Sequence, residues 1–323
     1  MNSEYIVGLK GDVDPAEVGV KAARLAELAQ EGIQVPEGFA VTAEAYREFV
    51  RDARLGPEIA QAIRRFRAGR DVVVAAAEIR SAFRDASLPS ALVDDMSAAY
   101  QELGGEGAEV AVRCSPVTSP DAVQDEAFLH LTTTADVIAA CRRCFASLYG
   151  FVAVVNREAE GIDHLRVAMP VTVQRMVRSD VGASGTARGE STFVRVRASW
   201  GLGEPSTGGA DQYSVHPGGR PMIVKHRGAK LTKSVYADPR GTRTVATTDE
   251  ERDALVLTDA ELEKLAEWSV LSDKHFCRPT TLEWAKDGCT GELYVVEVRP
   301  GTTPTVTIQA RGRSVAGARV QVT

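Results

Sequence analysis

The sequence predicts an α+β fold built in two blocks, and three observations lead to that prediction. The first block, up to about residue 170, is mostly helical by hydrophobic periodicity and carries few strands. The second block is rich in short alternating segments and contains one long amphipathic helix. Turns rich in Gly and Asp, such as KDGCTG, join neighbouring strands and predict antiparallel hairpins. Two blocks of this kind suit a ligand site in the cleft between them.

The elements of the first block follow from its periodicity and from the residues that interrupt it. Residues 17–32 place apolar side chains at helical spacing and end at Gly32, which predicts one N-terminal helix. A short strand is predicted in IQVPEGFAVT, and the Ala-, Arg- and Glu-rich stretch of about residues 43–105 predicts a helical insert. AEVAVRCS predicts a strand that leads into a loop, and residues 135–160 predict more helix.

The second block begins with VAMPVTVQRMV, which predicts a strand that passes into a hinge between the blocks. Further strands are predicted in STFVRVRASW, QYSVHP, PMIVKH and KSVYAD. TDAELEKLAEWSVLSDKHF predicts an amphipathic helix with Thr258 as its N-cap, and TLEWA and GELYVVEVRP predict a final hairpin. We therefore divide the chain into a first lobe (1–170), a second lobe (171–310) and a C-terminal tail (311–323).

Composition excludes several classes of protein. The chain has 323 residues and a formal net charge of −6, so we expect no general nucleic-acid surface. No apolar run approaches the roughly 20 residues of a membrane span. The N-terminal segment lacks the basic and apolar regions of a signal peptide. We expect a cytoplasmic protein with no membrane partner.

The five cysteines indicate neither a disulfide framework nor a zinc site. Cys141 and Cys144 form a CxxC motif, but the motif lies inside a predicted helix and no second CxxC lies near it in the sequence. A structural zinc ion requires four ligands. We interpret both residues as packed helix thiols.

Two basic residues of the first block are candidates for phosphate binding. Lys21 lies near the start of the predicted first helix, where free N–H groups and the helix dipole favour an anion. Arg113 ends a buried strand, where a guanidinium group is costly unless it is paired, and its fork suits a phosphate. The alternatives are a solvated surface lysine and a structural ion pair.

Two carboxylates of the second block are candidates for metal binding. Glu283 and Glu297 are flanked by apolar residues on the two strands of the final hairpin. Neighbouring carboxylates repel each other and need a counter-charge, which a Mg²⁺ ion bound to oxygen ligands supplies. Arg299 points to the same face as Glu297, so it either contacts the same phosphates or forms a structural ion pair with a carboxylate.

Several segments, in order from residue 6 to about residue 301, carry a resemblance to a known family. EVGVKAARLAEL resembles G-G-K-A-x-x-L-x-E-L, AVRCS resembles V-R-S-S, and CRRCFASLYG resembles R-x-C-W-A-S-L. VAMPVTVQRMV resembles a V-V-V-Q-x-M-V hinge, and ASWGLGE is similar to the same string. HFCRPTTLEWA and GELYVVEVRP resemble H-F-G-x-P-x-D-I-E-W-A and L-Y-x-L-Q-x-R-P. The family is that of the N-terminal ATP-binding domains of phosphoenolpyruvate synthase, pyruvate phosphate dikinase and rifampin phosphotransferase.

The resemblance implies a two-lobed ATP-grasp fold that binds ATP and Mg²⁺. It implies that Lys21 and Arg113 hold the ATP phosphates, that Glu283 and Glu297 hold Mg²⁺, and that Arg299 stabilises the transferring phosphate. The other implied nucleotide contacts lie at the hinge and near the sugar: Gln174, Met176 and Val177 at the adenine, and Glu204 at the ribose.

The implied activity is that of an ATP-dependent phosphotransferase. In the family, the β-phosphate of ATP passes to a histidine on a separate swivelling domain. None of the five histidines here lies in that signature, so we expect a stand-alone chain that phosphorylates a small-molecule acceptor or a separate histidine-bearing protein. Two alternatives stay open: a nucleotide-binding module without turnover, and a ligase that activates a carboxylate as an acyl phosphate.

The sequence also departs from the family pattern at four points. The stretch VRCSPVTSPDAVQDEAFLHL is shorter than the family's and lacks the glycines of its phosphate-covering loop, which bears on lid closure. The hairpin after the hinge is cut to SGTARGE. Thr281 replaces an acidic residue, and Glu297 stands where the family usually has Gln.

Overall fold

The structure, a computed structural model, describes residues 3–117, 127–203, 209–216, 218, 222–237 and 241–301. These residues form two large antiparallel sheets, one two-stranded sheet and the helices that cover them. The predicted α+β class and the predicted antiparallel hairpins are therefore confirmed.

A five-stranded sheet lies in the first block, in the order β1–β2–β5–β3–β4. Its strands are β1 (Ile6–Gly8), β2 (Gly38–Val41), β3 (Val110–Cys114), β4 (Ala127–Leu131) and β5 (Val171–Arg175). Gln174 of β5 is opposite both Gly38 and Ala111, and Thr172 is opposite Arg113. Since cross-strand partners share a face, these five positions form one surface of the sheet.

Helices cover the other surface of this sheet. They are α3 (Ala43–Asp52), α4 (Leu55–Arg67), α5 (Val72–Asp85), α6 (Ser90–Glu102), α7 (Thr134–Ser147) and α8 (Phe151–Glu160). The helical insert expected over about residues 43–105 matches α3 to α6. A buried aromatic cluster joins these helices, with neighbouring ring centroids 5.5–6.0 Å apart: Tyr46, Phe49, Phe83, Phe145 and Tyr149.

A six-stranded sheet lies in the second block, in the order β13–β12–β6–β7–β8–β9. Its strands are β6 (Ala183–Gly189), β7 (Val194–Trp200), β8 (Asp211–His216), β9 (Met222–His226), β12 (Thr280–Lys286) and β13 (Leu293–Pro300). One face packs against α10 (Asp259–His275) around the buried Trp284. The opposite face is polar and faces the first block at β12 and β13.

The long helix of the second block begins where the sequence predicts. The Thr258 hydroxyl accepts a hydrogen bond from the Glu261 N–H, and the Glu261 carboxylate accepts one from the Thr258 N–H. This reciprocal capping box satisfies two backbone donors that a helix start leaves unpaired. The predicted N-cap is therefore confirmed.

A small hairpin and a short helix complete the second block. The hairpin consists of β10 (Thr232–Tyr236) and β11 (Thr242–Ala246), and α9 (Asp249–Asp253) follows it. Leu202 donates its N–H to Ser234 O, so the hairpin is attached to the loop after β7.

The helix predicted over residues 17–32 is confirmed as α2 (Val20–Gln30), but its predicted start is wrong, because the chain breaks at Gly19 and a separate short helix, α1 (Pro15–Val18), precedes it. Gly19 has φ 81°, and a Cβ atom there would lie 1.8 Å from Ser115 O, so only glycine fits. Glycine has no side chain to cap α2, and the Ser115 hydroxyl accepts the Ala22 N–H instead (3.3 Å). This contact ties the start of α2 to the end of β3.

Helix α2 comes early in the sequence but contacts both blocks. Leu25 and Leu28 pack into the core of the six-stranded sheet, whereas Ala22 and Ala23 pack against Ala40 of β2. The helix therefore lies where the two sheets meet, and its first turn faces the space between them.

The chain passes from the five-stranded sheet to the six-stranded sheet after β5. Strand β5 is the central strand of the five-stranded sheet, and the chain enters the six-stranded sheet at Ala183. The patterns in the sequence do not indicate β1, β4, β6 or β11, which are short or rich in small and polar residues. In β6, Gly185 packs against Arg197 O and the Trp284 ring, so a small residue fits there.

Within the described residues, no single helix is long and apolar enough to cross a membrane. Helices α7 and α8 reach that length and composition only as a pair, bent by 41°.

Candidate functional site

Five charged side chains from four elements meet where the two sheets face each other. Glu297 on β13 is at the centre: its carboxylate lies 3.3 Å from Lys21 Nζ, 3.7 Å from Arg113 Nη1 and 3.2 Å from Arg299 Nε. Arg299 Nη2 also lies 2.5 Å from Glu283 Oε1. The structure thus brings together the lysine, the arginines and the carboxylates that the sequence singles out from opposite ends of the chain.

The final hairpin positions the two carboxylates. Glu283 and Glu297 are direct cross-strand partners, and the register then shifts so that Trp284 is opposite Val295. This bulge leaves Val296 as the extra residue, and the Val296 carbonyl accepts a hydrogen bond from Arg113 Nη1 (3.3 Å). The bulge in β13 therefore positions Arg113, a side chain of the first block, as well as the carboxylates of the final hairpin.

Electrostatics favour the ionised form of Glu297. Burial raises the pKa of this carboxyl group, but the charges of Lys21, Arg113 and Arg299 outweigh burial and leave the pKa below its usual range. Two carboxylates face three cations, so the cluster retains a net positive charge and attracts a further anion.

The residues of the predicted hinge line a pocket next to this cluster. Gln174 and Val177 are buried, and Met176 lies between them at the end of β5. The pocket includes Arg113 and Glu283, so the charged cluster forms one end of it. Its other walls come from both sheets and from the loop after β7: Ala111, Leu129, Ser184, Leu202, Gly203 and Val296.

Two buried donors in this pocket indicate what it can bind. In the described part of the chain, neither Arg113 Nε nor Gln174 Nε2 has a hydrogen-bond acceptor. A buried donor without an acceptor costs about 1–3 kcal/mol, so the pocket suits a ligand that brings acceptor atoms to both ends.

Sequence reasoning did not single out Ser184 or Leu202. The Ser184 hydroxyl lies within hydrogen-bond distance of the carbonyls of Gly201 (2.7 Å) and Gly203 (2.5 Å), and its single proton is shared between them, which holds the loop after β7 against the pocket. The one sequence feature that could have indicated Ser184 is its position shortly after the predicted hinge. Glu204, expected at the ribose, lies outside the described residues, as do residues 118–126 of the glycine-free stretch.

Comparison with known proteins identifies the family of the chain. Residues 15–314 match the family described as the pyruvate phosphate dikinase AMP/ATP-binding domain. The chain belongs to this family. Phosphoenolpyruvate synthase of Pseudomonas aeruginosa (strain UCBPP-PA14) is 37% identical over an alignment of 333 residues with gaps. The alignment covers 93% of this chain and 42% of the relative.

Other relatives give the same result. Phosphoenolpyruvate synthase of Deinococcus radiodurans is 36% identical and covers 88% of this chain and 40% of the relative. The Escherichia coli (strain K12) enzyme of that name is 35% identical and covers 94% of this chain and 41% of the relative. The chain therefore spans about two-fifths of the length of the curated relatives that it matches. The family supports ATP binding, while the roles of individual residues stay predictions.

Proposed function

We propose that the chain is an ATP-dependent phosphotransferase of the ATP-grasp type that binds Mg·ATP between its two sheets. The observation that carries this proposal is the convergence of Lys21 and Arg113 with Glu283, Glu297 and Arg299 at one end of the hinge pocket. We propose the five-stranded sheet with its helical insert as the first lobe, and the six-stranded sheet, from about residue 183, as the second.

The proposed phosphate contacts follow from the ion pairs. Lys21 and Arg113 each contact the Glu297 carboxylate, which has the same charge sign and oxygen chemistry as a phosphate. Incoming phosphates would therefore meet cations that are already oriented, which lowers the cost of ordering their side chains. Gln174, Met176 and Val177 would contact the base at the other end of the pocket.

The donor set fits Mg²⁺. Glu283 and Glu297 are adjacent carboxylates, and Mg²⁺ at nucleotide sites uses one or two carboxylates together with phosphate oxygens and water. A Mg²⁺ ion held there would neutralise charge on the phosphates.

The chain's own residues would then act by position and charge. Lys21, Arg113 and Arg299 surround the site from both blocks, and so they would hold the phosphate chain and offset the charge that develops during transfer. At the transferred phosphorus, the P–O bond to the rest of the nucleotide breaks and a bond to an oxygen or nitrogen atom of the acceptor forms. The leaving group departs with the bridging oxygen, and the acceptor atom releases its proton to solvent. The acceptor is a small molecule or a histidine on a separate protein.

Calorimetry with Mg·ATP, followed by phosphorus NMR with candidate acceptors or partner proteins, tests this proposal. We expect saturable ATP binding and acceptor-dependent loss of the ATP resonances. Failure of the folded chain to bind Mg·ATP would overturn the proposal.

A second candidate function is nucleotide binding without turnover. The observation that favours it is the absence of glycine between Ser115 and Leu131, where the family pattern carries a phosphate-covering loop. The same two measurements separate the candidates, because this one predicts ATP binding with unchanged ATP resonances under every acceptor and partner condition.

A further inference from the structure

Strand β4 is interrupted by a bulge beside the pocket. Its register with β3 shifts inside the strand, so that Leu129 and His130 together face the single residue Ala111. His130 has φ 58°, a left-handed conformation that is uncommon for a residue other than glycine. Bulges redirect side chains and are frequent next to functional sites. The bulge of β4 is therefore a strained segment that the surrounding structure must hold in place.

The bulge supplies one wall of the pocket. Gln174, Ala111 and Leu129 follow one another across β5, β3 and β4, and all three line the pocket. Among the described strands, β4 pairs only with β3. The sheet itself therefore fixes Leu129 from one side only, and the position of this wall depends on contacts outside the sheet.

A ring contact supports the bulge from the second block. The imidazole of His130 and the phenol ring of Tyr236 on β10 are stacked, with centroids 4.1 Å apart and planes 2° from parallel. We call His130 and Tyr236 the ring clasp. The Arg178 guanidinium lies 5.7 Å from the Tyr236 centroid, and Arg178 Nε lies 3.6 Å from the Glu109 carboxylate of the first block. The ring clasp therefore joins the two blocks directly.

The ring clasp lies at the hinge end of the pocket, away from the charged cluster. Glu109, which lies beside His130 and Arg178, accepts a backbone hydrogen bond from the Met176 N–H (2.9 Å). Arg178 directly follows Val177 in the chain. Met176 and Val177 are the proposed contacts of the base, so the clasp lies next to the base-binding end.

The hairpin that carries Tyr236 supports a second wall of the same pocket. Ser234, two residues before Tyr236 on β10, accepts a hydrogen bond from the Leu202 N–H (2.9 Å). Leu202 lines the pocket from the loop after β7. The hairpin thus contacts the wall of the second block through Ser234 and the wall of the first block through the ring clasp.

The ring clasp depends on the faces of its rings. In the described part of the chain, the Tyr236 hydroxyl and His130 Nδ1 are buried and have no hydrogen-bond partner. His130 Nε2 lies 3.7 Å from the Glu109 carboxylate, which is beyond hydrogen-bond distance. Stacked rings attract each other in addition to the area that they bury. A phenylalanine at position 236 should therefore preserve the contact.

We propose that His130 and Tyr236 are positioning residues for the nucleotide base: their stack holds the bulge of β4 so that Leu129 closes the hinge end of the pocket. This inference rests on the proposed function, because it names what shapes the base-binding end of the same site. Loss of the clasp releases Leu129 from the base, whereas the cations at the charged end keep their positions.

The test compares Tyr236→Ala with Tyr236→Phe and with the control Phe193→Ala. Phenylalanine retains the ring and removes only the hydroxyl group. The control removes a ring from another aromatic–histidine pair of the second block, Phe193 and His216, whose centroids are 5.4 Å apart and which does not line the pocket. Each protein is titrated in a calorimeter with Mg·ATP and, separately, with Mg·tripolyphosphate, which carries the phosphates without the base.

We expect Tyr236→Ala to bind Mg·ATP about three- to tenfold more weakly than wild type. Its affinity for Mg·tripolyphosphate should equal that of wild type. Tyr236→Phe and Phe193→Ala should bind both ligands as wild type does. His130→Ala should reproduce the loss in Tyr236→Ala, and the double variant should bind no more weakly than either single variant, because both changes remove the same contact.

Equal Mg·ATP affinity in wild type and Tyr236→Ala would overturn the inference and leave the nucleotide site standing. Equal losses for Mg·ATP and Mg·tripolyphosphate would also overturn it, because a merely structural role does not distinguish the base from the phosphates. A loss in Tyr236→Phe would assign the effect to the hydroxyl group instead of the stack.

The wild type separates the two proposals. If it binds Mg·ATP but not Mg·tripolyphosphate, the positioning role is wrong, since that role requires a charged end that binds phosphates without the base. If it does not bind Mg·ATP at all, the phosphotransferase proposal is refuted, and the positioning role with it.

Discussion

Two charge networks in this chain pair a lysine with a carboxylate, but their surroundings differ. Lys230 and Asp211 are 1% and 0% exposed, with Nζ 2.6 Å from Oδ1. Asp211 also accepts hydrogen bonds from the Gly228 N–H, the Val256 N–H and the Tyr213 hydroxyl. This carboxylate therefore has its lone pairs satisfied from all sides within the fold.

The second network shares one carboxylate among three cations. Lys21 and Glu297 are 15% and 11% exposed at the edge of a pocket, and Arg113 and Arg299 contact the same Glu297 carboxylate. A saturated buried pair specifies the fold, whereas a partly exposed cluster with surplus positive charge can exchange a carboxylate for a phosphate. The comparison teaches that the surroundings of an ion pair, rather than its residue types, separate a structural pair from a candidate site.

The largest expected effect comes from breaking the buried network. Lys230→Met leaves the Asp211 charge buried without its cation, so the free energy of unfolding should fall by about 3–5 kcal/mol in urea denaturation. The matched control is Lys10→Met, which breaks the exposed pair with Glu37 and should change the same quantity by less than about 1 kcal/mol. Similar losses of unfolding free energy in Lys230→Met and Lys10→Met would show that the buried pair stabilises the fold no more than an exposed pair does.

The next effect concerns binding. Lys21→Gln should weaken Mg·ATP binding by at least about tenfold in calorimetry, because a charged phosphate contact is lost. Its free energy of unfolding should change by no more than about 1 kcal/mol, since Lys21 shares its carboxylate with two other cations. Lys10→Gln serves as the control for the loss of one positive charge. Unchanged ATP affinity in Lys21→Gln would indicate that the network around Glu297 is structural, as the Lys230–Asp211 pair is.

A smaller effect tests the charge on Glu297. Because the pKa of Glu297 is depressed in the folded state, its ionisation stabilises the fold above the unfolded pKa of about 4.3, and this stabilisation is lost as pH falls through the folded pKa. Glu297→Gln should therefore be less stable than wild type near neutral pH. The difference in unfolding free energy should shrink towards zero in acid. A difference that does not vary with pH would contradict the ionised cluster.

The smallest effect lies outside both networks. His275 on α10 places Nε2 3.0 Å from Glu27 on α2 and Nδ1 3.1 Å from Glu31, the residue that caps the end of α2. The bond to Glu27 is the main cause of the raised pKa of His275, partial burial opposes it, and Glu31 adds to the increase. The stabilisation is full below the unfolded pKa of about 6.5 and is lost as pH rises through the higher folded pKa.

His275→Gln should accordingly lower the melting temperature at pH 6 and have less effect at alkaline pH. His226→Gln, an exposed position on β9, is the control and should show no such trend. If the penalty of His275→Gln were the same at both pH values, the charged bridge between α10 and α2 would be refuted.

Local patterns predicted the long elements well. The period of apolar residues located the helical insert and α10, and the Thr258–Glu261 spacing located a helix start, because these features depend on neighbours in the sequence. The break at Gly19 escaped the same reasoning. Its cause is the close approach of Ser115, almost a hundred residues away in the chain.

The candidate site was predictable only as a set of residue types. Arg113, Glu283 and Glu297 stand out in the sequence because a charge beside an apolar run needs a partner. Lys21 stands out because it lies near a predicted helix start, and Arg299 because it shares a face with Glu297. The pairing of Arg299 with Glu283 and Glu297 was one of the two interpretations that the sequence offered. The partners of Lys21 and Arg113, the bulge at Val296 and the serine that supports the pocket loop did not follow from any local pattern.

The sequence by itself determined the fold class, the helix and strand periods of its long elements, and the list of charged residues that must avoid an apolar interior. Only the tertiary structure decided that Lys230 is buried with Asp211 while Lys21 opens onto a pocket with Glu297. The physical reason is that secondary structure depends on short-range periodicity, whereas the environment of a charge is set by residues that the fold brings from distant parts of the chain.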